Sequence, residues 1–470
     1  MEAQSVAELL NHLEGVVRVD GNAVTVLNEA ALPDKVDKLV FSAVFSQGVL
    51  RDFARWLIWE IGQAVGIYPS SIHELYMAVG RGDLPSNFTV PAMNIRVMNY
   101  NTTRAVFRAA NRYAVGAMLF EIARSEIGYT DQRPAEYVAS VMAAALKEGY
   151  RGPLFVQGDH FQISASRYAS DPEAEVQSVK DLMDEAVSAG FYNIDIDTST
   201  LVDLRFPTLD EQQSLNYSLC AHLTEYARAI QPAGVTISLG GEIGEVGHKN
   251  STVEELRAFM DGYGRVLPAG MAGISKISVQ TGTSHGGVVL PDGSLADVKV
   301  DFDTLKALSQ AAREEYHCGG AVQHGASTLP ATAFGKFPEI GTLEIHLATN
   351  FQNIALDNMP AEVSAEIHTY IRDHFHKEWK AGQTEEQFIY QTRKKVIGPM
   401  KKAWWNLDRA AQDRLGDILQ QQFEMLFRSL NVVNTRRTAA RVTTRVEQHR
   451  ERPLAAIEET ELVISADLSD

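Results

Sequence analysis

The chain is nearly without cysteine. It has two, Cys220 and Cys318, in 470 residues. That excludes a disulfide framework, points to a reducing compartment, and makes the cytoplasm the expected location. Both are expected as small buried side chains. No uninterrupted apolar run approaches the roughly 20 residues needed to span a bilayer. The N-terminus, Met1-Glu-Ala-Gln-Ser-Val-Ala-Glu, has no basic region ahead of an apolar stretch, which argues against a signal peptide. Positive charge is in deficit: 43 Lys and Arg stand against 60 Asp and Glu, for a net charge of −17. Such a surface repels nucleic acid and anionic lipid, so neither is an expected partner. There is no repeat of fixed period and no low-complexity tract. What remains is an ordinary globular composition, 45% hydrophobic, long enough for one large domain with additions or for two domains.

Eight short strand-like apolar segments begin near Phe88, Ala117, Pro153, Tyr192, Gly234, Gly273, Gly320 and Thr342. Most of the gaps between them carry helical periodicity. Tyr137-Val-Ala-Ser-Val-Met-Ala-Ala-Ala-Leu is one such helix. Val176 to Ala189 is another, with Val179, Leu182, Met183, Ala186 and Val187 on one face. Strand alternating with helix eight times predicts an α/β fold, a (β/α)8 TIM barrel, in preference to a doubly wound open sheet. The barrel is expected over 88–360. Residues 1–87 read as a mostly helical N-terminal extension, with one helix from Ala43 to Val65 covered on two sides by way of Trp56 and Trp59. Residues 361–470 read as a helical C-terminal extension, with helices over Val363–Glu378, Glu385–Trp405 and Asp408–Leu430. Its charged tail, from about Arg441, is expected to be mobile or draped over a neighbour. These extensions suggest a homo-oligomer.

Three histidines sit just past apolar strand segments, in Leu154-Phe-Val-Gln-Gly-Asp-His160, Ile277-Ser-Val-Gln-Thr-Gly-Thr-Ser-His285 and Ala321-Val-Gln-His324-Gly-Ala-Ser327. In a barrel, residues at the carboxyl ends of the strands line the active site. Three imidazoles from three such ends can converge on one divalent metal and leave a position open for substrate or water, as a catalytic zinc requires. His248, after strand five, is an alternative ligand. His317 precedes strand seven and is expected at the opposite face.

The ordered set of motifs resembles the class II, metal-dependent fructose-bisphosphate and tagatose-bisphosphate aldolases. Phe88-Thr-Val-Pro-Ala-Met-Asn94 resembles that family's first strand, and Gly158-Asp159-His160 its Asp-His motif. Thr281-Gly-Thr-Ser-His285-Gly and His324-Gly-Ala-Ser327 resemble the segments of its second and third metal histidines. Glu344-Ile-His-Leu-Ala-Thr349 occupies the place of its last-strand substrate motif. The resemblance implies Zn²⁺, or another divalent metal, on His160, His285 and His324, and a small sugar phosphate as partner. The reaction it implies is aldol cleavage or formation of a phosphorylated ketose like fructose 1,6-bisphosphate, through an enediolate stabilised by the metal. Asp159 would shuttle the proton of the C4 hydroxyl. A second acid would be Glu242 or Glu245, in the glycine-rich Gly240-Gly-Glu242-Ile-Gly-Glu245-Val-Gly247. Asp197 could support the metal site. Phosphate would meet amides at Gly286, Gly325 and Ser327 and hydroxyls of Ser327 and Thr349; Asn94 and His346 would also contact substrate.

The chain departs from the family in several places. Asn250 falls where a loop glutamate is expected, and His346 stands in place of an asparagine. Gly287-Val-Val-Leu290 lacks the basic residue that often follows the second metal histidine, so phosphate could borrow Arg96. Glu121 and Arg124 end strand two, free to meet a substrate end or each other as an ion pair. Three other readings stay open. One is a Schiff-base aldolase using Lys276. Another is a metal-dependent barrel of the amidohydrolase type, though Asn94-Ile-Arg-Val has no His-x-His pair. The last is a catalytically silent scaffold or regulatory subunit.

Overall fold

The computed structural model describes residues 2–244, 249–282 and 299–453. Eight parallel strands close into a (β/α)8 barrel: β4 (Val90–Asn94), β5 (Leu119–Ala123), β6 (Gly152–Gln162), β7 (Asn193–Asp197), β8 (Ser238–Glu242), β9 (Lys276–Val279), β10 (Ala321–Gln323) and β11 (Glu344–Leu347). Each pairs with the next in parallel register, and β11 returns to β4 through Glu344↔Val90 and His346↔Ala92. All eight predicted strands are present, because each is a short apolar run with turn residues on both sides.

The N-terminal segment is mostly helical as expected, over Val6–Leu13, Pro33–Phe45, Gly48–Val65 and His73–Gly80, with short strands added. It holds a hairpin of β1 (Val17–Asp20) and β2 (Ala23–Val26), closed by Gly21 and Asn22. Gly21 takes φ +56, the left-handed conformation that a two-residue hairpin turn needs. It also supplies β3 (Ile67–Ser70), which pairs with the first half of β6, from Ile67↔Gly152 to Ser70↔Phe155. β6 has 11 residues; β3 borders its lower half and β7 its upper half, so β3 seals the seam below β7. The Asn193 side chain stitches that seam, accepting from the Ile72 amide at 2.8 Å and donating to the Ser70 carbonyl at 3.2 Å.

Two predicted helices are interrupted. The stretch from Ala43 to Val65 breaks at Ser46 and Gln47, both extended, giving Pro33–Phe45 and Gly48–Val65. The stretch from Glu385 to Trp405 breaks into Glu385–Thr392, the 3₁₀ turn Arg393–Val396 and Lys401–Trp405. Pro399 has no amide hydrogen to continue the ladder. Val396, Ile397 and Trp404 fill a second, smaller core with Val97, Met98, Ile367 and Ile371.

As far as it is described, the segment after Arg441 is tied down on the chain itself. It lies along the chain's own helix Gly48–Val65. The indoles of Trp56 and Trp59 donate to the carbonyls of Arg450 (2.8 Å) and Gln448 (2.6 Å). The Arg450 guanidinium stands 3.3 Å from the centre of the Trp59 ring, and Glu60 accepts from the Arg450 amide and meets His449. A buried indole N–H requires an acceptor, and the tail's backbone provides one for each tryptophan.

Candidate active site

The site begins with an irregularity in β6. The pairing of β6 with β7 shifts register between Gly158 and Phe161, and His160 adopts φ +42. Positive φ is uncommon for a residue with a side chain and costs on the order of 1 kcal/mol or more. In a regular strand, consecutive side chains point to opposite faces. The bulge breaks that alternation, and Asp159 and His160 line the same cavity. Glycine is required at 158, where a Cβ would overlap the Phe161 ring.

His324, just beyond β10, meets His160 there. Its Nδ1 lies 2.8 Å from Nε2 of His160, and its Nε2 lies 3.1 Å from the Ser278 hydroxyl. The other nitrogen of His160, Nδ1, faces carboxylates: Asp197 Oδ2 at 3.0 Å and Glu242 Oε2 at 3.3 Å. Such partners favour a proton on Nδ1 and turn Nε2 toward His324. Burial opposes charge on His160, but Asp159, Glu242 and Asp197 outweigh it and hold the imidazole well above its ordinary range. Burial, followed by the neighbouring Asp197 carboxylate, pushes the Glu242 carboxyl up to about 7.

These donors suit a divalent cation. Two nitrogens on one tetrahedral zinc stand roughly 3.3 Å apart, given Zn–N bonds of about 2.0–2.1 Å. The observed pair, at 2.8 Å, is about half an ångström closer than that, so a small rotation of the rings would seat the ion. Ligand atoms of His160, His324 and Glu242 form one compact group, and those of Asp159, His324 and His346 another, each spanning no more than 4.8 Å. His248, His285, Gly286 and Glu245 lie outside the described residues.

The floor beneath the imidazoles is ionic. Barrel interiors are usually filled by branched apolar side chains, yet here Glu121, Asp195, Lys276 and Glu344 point inward from four strands. All four are buried. The Lys276 ammonium has three close acceptors: Glu344 Oε1 at 2.6 Å, Gln157 Oε1 at 2.7 Å and Asp195 Oδ1 at 2.9 Å. Burial works against its charge, but Asp195 and Glu344 more than compensate and raise its pKa. It is therefore held as an ammonium, unsuited to attack a ketone. The Tyr76 hydroxyl donates to the other oxygen of Glu344. The sequence signal for this floor is one charged residue between apolar neighbours within or at the start of a strand, as in Phe120-Glu121-Ile122, Ile194-Asp195-Ile196 and Leu343-Glu344-Ile345.

His346 joins floor to mouth. Its ring stacks on His324 with centroids 4.1 Å apart. Its Nε2 lies 2.7 Å from Glu344, and its Nδ1 lies 3.2 Å from Asp159 and 3.3 Å from Glu121. Burial opposes charge on Asp159 too, but His160, His346 and His324 hold its carboxyl well below the usual range. It stands ionised, as a proton acceptor must.

The cavity above has a volume of about 640 Å³. Of the residues singled out by sequence, Asp159, His160, His324 and His346 line it. So do Asn94, Gly325, Ser327 and Thr349. Gly325, at φ +68, turns the chain into the 3₁₀ segment Ala326–Thr328, and Thr349 opens the helix Thr349–Asp357. Glu242 sits behind His160 rather than on the cavity wall. Asn94 donates to Glu126 at 2.6 Å and accepts from Arg96 at 3.2 Å. Glu121 and Arg124 do not pair with each other. Glu121 turns inward to Gln157 and His346, whereas Arg124 turns outward to Glu175 at 2.7 Å, as follows from their places on β5 and just after it. Asn250 donates to Asp301 at 3.0 Å.

Residues 85–410 match the model of the family described as class-II fructose-bisphosphate aldolase. The chain belongs to that family. An aldolase-type, carbon–carbon lyase function in carbohydrate metabolism accords with this membership. No curated protein matches the chain. Among solved structures, this class-II aldolase family member is similar to a probable tagatose 6 phosphate kinase from Sinorhizobium meliloti 1021. That likeness has 15% identity and a TM-score of 0.52, over 75% of this chain and 99% of that one. It is also similar to a fructose-bisphosphate aldolase from Campylobacter jejuni (16%, TM-score 0.46, 77% and 95%) and to the YdjI aldolase from Escherichia coli K12 (14%, 0.40, 73% and 99%). At such identities the first likeness bears on the fold alone.

Proposed function

We propose that the protein is a metal-dependent aldolase that cleaves or forms a phosphorylated ketose. The observation that carries this reading is the bulge in β6, which turns an ionised Asp159 and the His160 imidazole into one cavity, with His160 Nε2 2.8 Å from His324. His160, His324 and His285 would hold Zn²⁺ or another divalent cation. A cation there supplies Lewis-acid polarisation of the ketose carbonyl. Asp159 takes the proton of the substrate hydroxyl as the carbon–carbon bond breaks, and returns it in synthesis. Glu242, titrating near neutrality, or Glu245 exchanges the second proton. The Gly325–Ser327 turn and the start of the Thr349 helix offer amides and hydroxyls to a phosphate, with Gly286 as a third amide. Asn94 and His346 orient the sugar.

Division of the chain into a barrel over 88–360 and helical extensions over 1–87 and 361–470 belongs to the same reading, as do a cytoplasmic location and a homo-oligomeric state. Both cysteines are buried and free. No helix among the described residues is long and apolar enough to cross a membrane. The test is a screen of phosphorylated ketoses with the purified full-length, metal-loaded protein. Cleavage abolished by a chelator and resistant to borohydride is expected. Borohydride inactivation in the presence of substrate would instead establish a lysine imine, and bound metal without any cleavage would establish a silent scaffold.

A further inference from the structure

One imidazole in the barrel is ringed by carboxylates. His346 Nε2 lies 2.7 Å from Glu344 Oε1 and 3.7 Å from Asp195 Oδ2. Its Nδ1 lies 3.2 Å from Asp159 Oδ1 and 3.3 Å from Glu121 Oε2. The two sides of the ring are served unequally. On the Nε2 side, Lys276 sets its ammonium against both Asp195 and Glu344. On the Nδ1 side, no lysine or arginine among the described residues comes within ion-pair distance of Asp159 or Glu121. Glu121 accepts from the Gln157 amide at 2.9 Å, and Asp159 has the His160 ring 3.8 Å away.

Three atoms on that side are buried without a hydrogen-bond partner: His346 Nδ1, Asp159 Oδ1 and Glu121 Oε1. Their side chains come from three strands, β11, the bulged end of β6, and β5, and none is more than 6% exposed. Buried charges left unpaired are costly, and native interiors pair them or place them on a metal. Nitrogen and oxygen ligands of one divalent ion, bonded at about 2.0–2.2 Å, stand roughly 2.9–3.5 Å apart. The separations at Nδ1 fall inside that range. One imidazole with two carboxylates is a donor set suited to Mn²⁺ or Zn²⁺. It needs neither His160 nor His324, which face each other at 2.8 Å. The histidine itself is this chain's departure from the asparagine of its family.

We propose that Glu121, Asp159 and His346 hold a second divalent cation, separate from the one assigned to His160 and His324. It neutralises the side of the barrel floor that Lys276 does not serve. Binding through Oδ1 leaves the other oxygen of Asp159 as an acceptor. This goes beyond the aldolase reading and does not rest on it, because it concerns ion binding alone.

The test titrates Mn²⁺ into full-length protein already holding one equivalent of zinc, with free Mn²⁺ read by electron paramagnetic resonance. Wild type binds one further equivalent, and the spin-echo spectrum of the bound ion shows coupling to a histidine nitrogen. His346→Asn and Glu121→Gln each bind Mn²⁺ at least about tenfold more weakly, while elemental analysis finds their zinc retained. No uptake by wild type, no nitrogen coupling, or variants of unchanged affinity would each overturn the proposal. Zinc lost together with Mn²⁺ in both variants would show one shared ion and overturn it as well. The nitrogen coupling is read on wild type, so a variant that fails to fold leaves the test decisive. Absence of ketose cleavage would sink the aldolase reading without touching this one.

Discussion

Lys276 Nζ lies 2.6 Å from Glu344 Oε1 at the centre of the barrel, and neither side chain is exposed. The pair is bound to its surroundings through Asp195, Gln157 and Tyr76, so removing one partner strands charge in a place water does not reach. Lys276→Met is expected to destabilise the fold by about 3–5 kcal/mol in denaturant titration, and Lys276→Met with Glu344→Gln by clearly less. Equal losses would show that the two charges do not depend on each other.

Metal removal has its own signature. His324→Ala, and separately His160→Ala, should abolish bound zinc and activity together while circular dichroism shows an intact barrel. In the wild type, zinc at a hundred times its dissociation constant should add about 2.7 kcal/mol to unfolding, a gain that a chelator reverses. Full metal stoichiometry in His324→Ala would contradict the assignment.

Asp159→Asn keeps the size of the side chain and removes its capacity to accept a proton. A fall in kcat of about 10²- to 10⁴-fold is expected, with zinc content unchanged by elemental analysis. Loss of zinc in parallel would instead make Asp159 a support of the metal site.

His73 sets part of the acid limit of stability. Burial, reinforced by Arg228 and Arg81, pushes its pKa down to about 4. The folded protein therefore holds it neutral, whereas the unfolded chain takes up a proton near 6.5. Its contribution is fully present above pH 6.5 and is lost as pH falls toward 4. Between pH 7 and pH 4.5, wild type should lose about 2 kcal/mol more than His73→Gln in denaturant titrations. Parallel pH curves would refute this.

The Trp56 and Trp59 contacts predict that a chain ending at Val442 is less stable and emits tryptophan fluorescence at longer wavelength. Without the carbonyls of Gln448 and Arg450, both indoles lose their acceptors and their cover. An unchanged emission maximum would show that the tail shields neither ring.

What the sequence made legible followed from periodicity. The eight barrel strands stand out because each is an apolar run between turn residues. β3 did not, since Pro69 argues against a strand in the middle of a sheet; the structure tolerates it because β3 pairs on one side only. The hairpin around Gly21-Asn22 carried a readable signal, two valine-rich alternating runs across a two-residue turn, that a helical reading of the region passed over. In the site, His160 and His324 were legible from their places after β-type runs, and their partners Asp159 and Glu242 from neighbouring motifs. The charged floor was not. Glu121, Asp195, Lys276 and Glu344 are far apart in sequence, and only barrel closure shows that they share one interior.

The extra residue in β6 also sets how the barrel can change without losing its chemistry. The only positions between Gly158 and Phe161 are Asp159 and His160, so a deletion that let the strand run straight would remove the acid or the imidazole itself. Such a deletion would give a calmer, sturdier stave without its pair of polar side chains, so selection for robustness alone would work against this site.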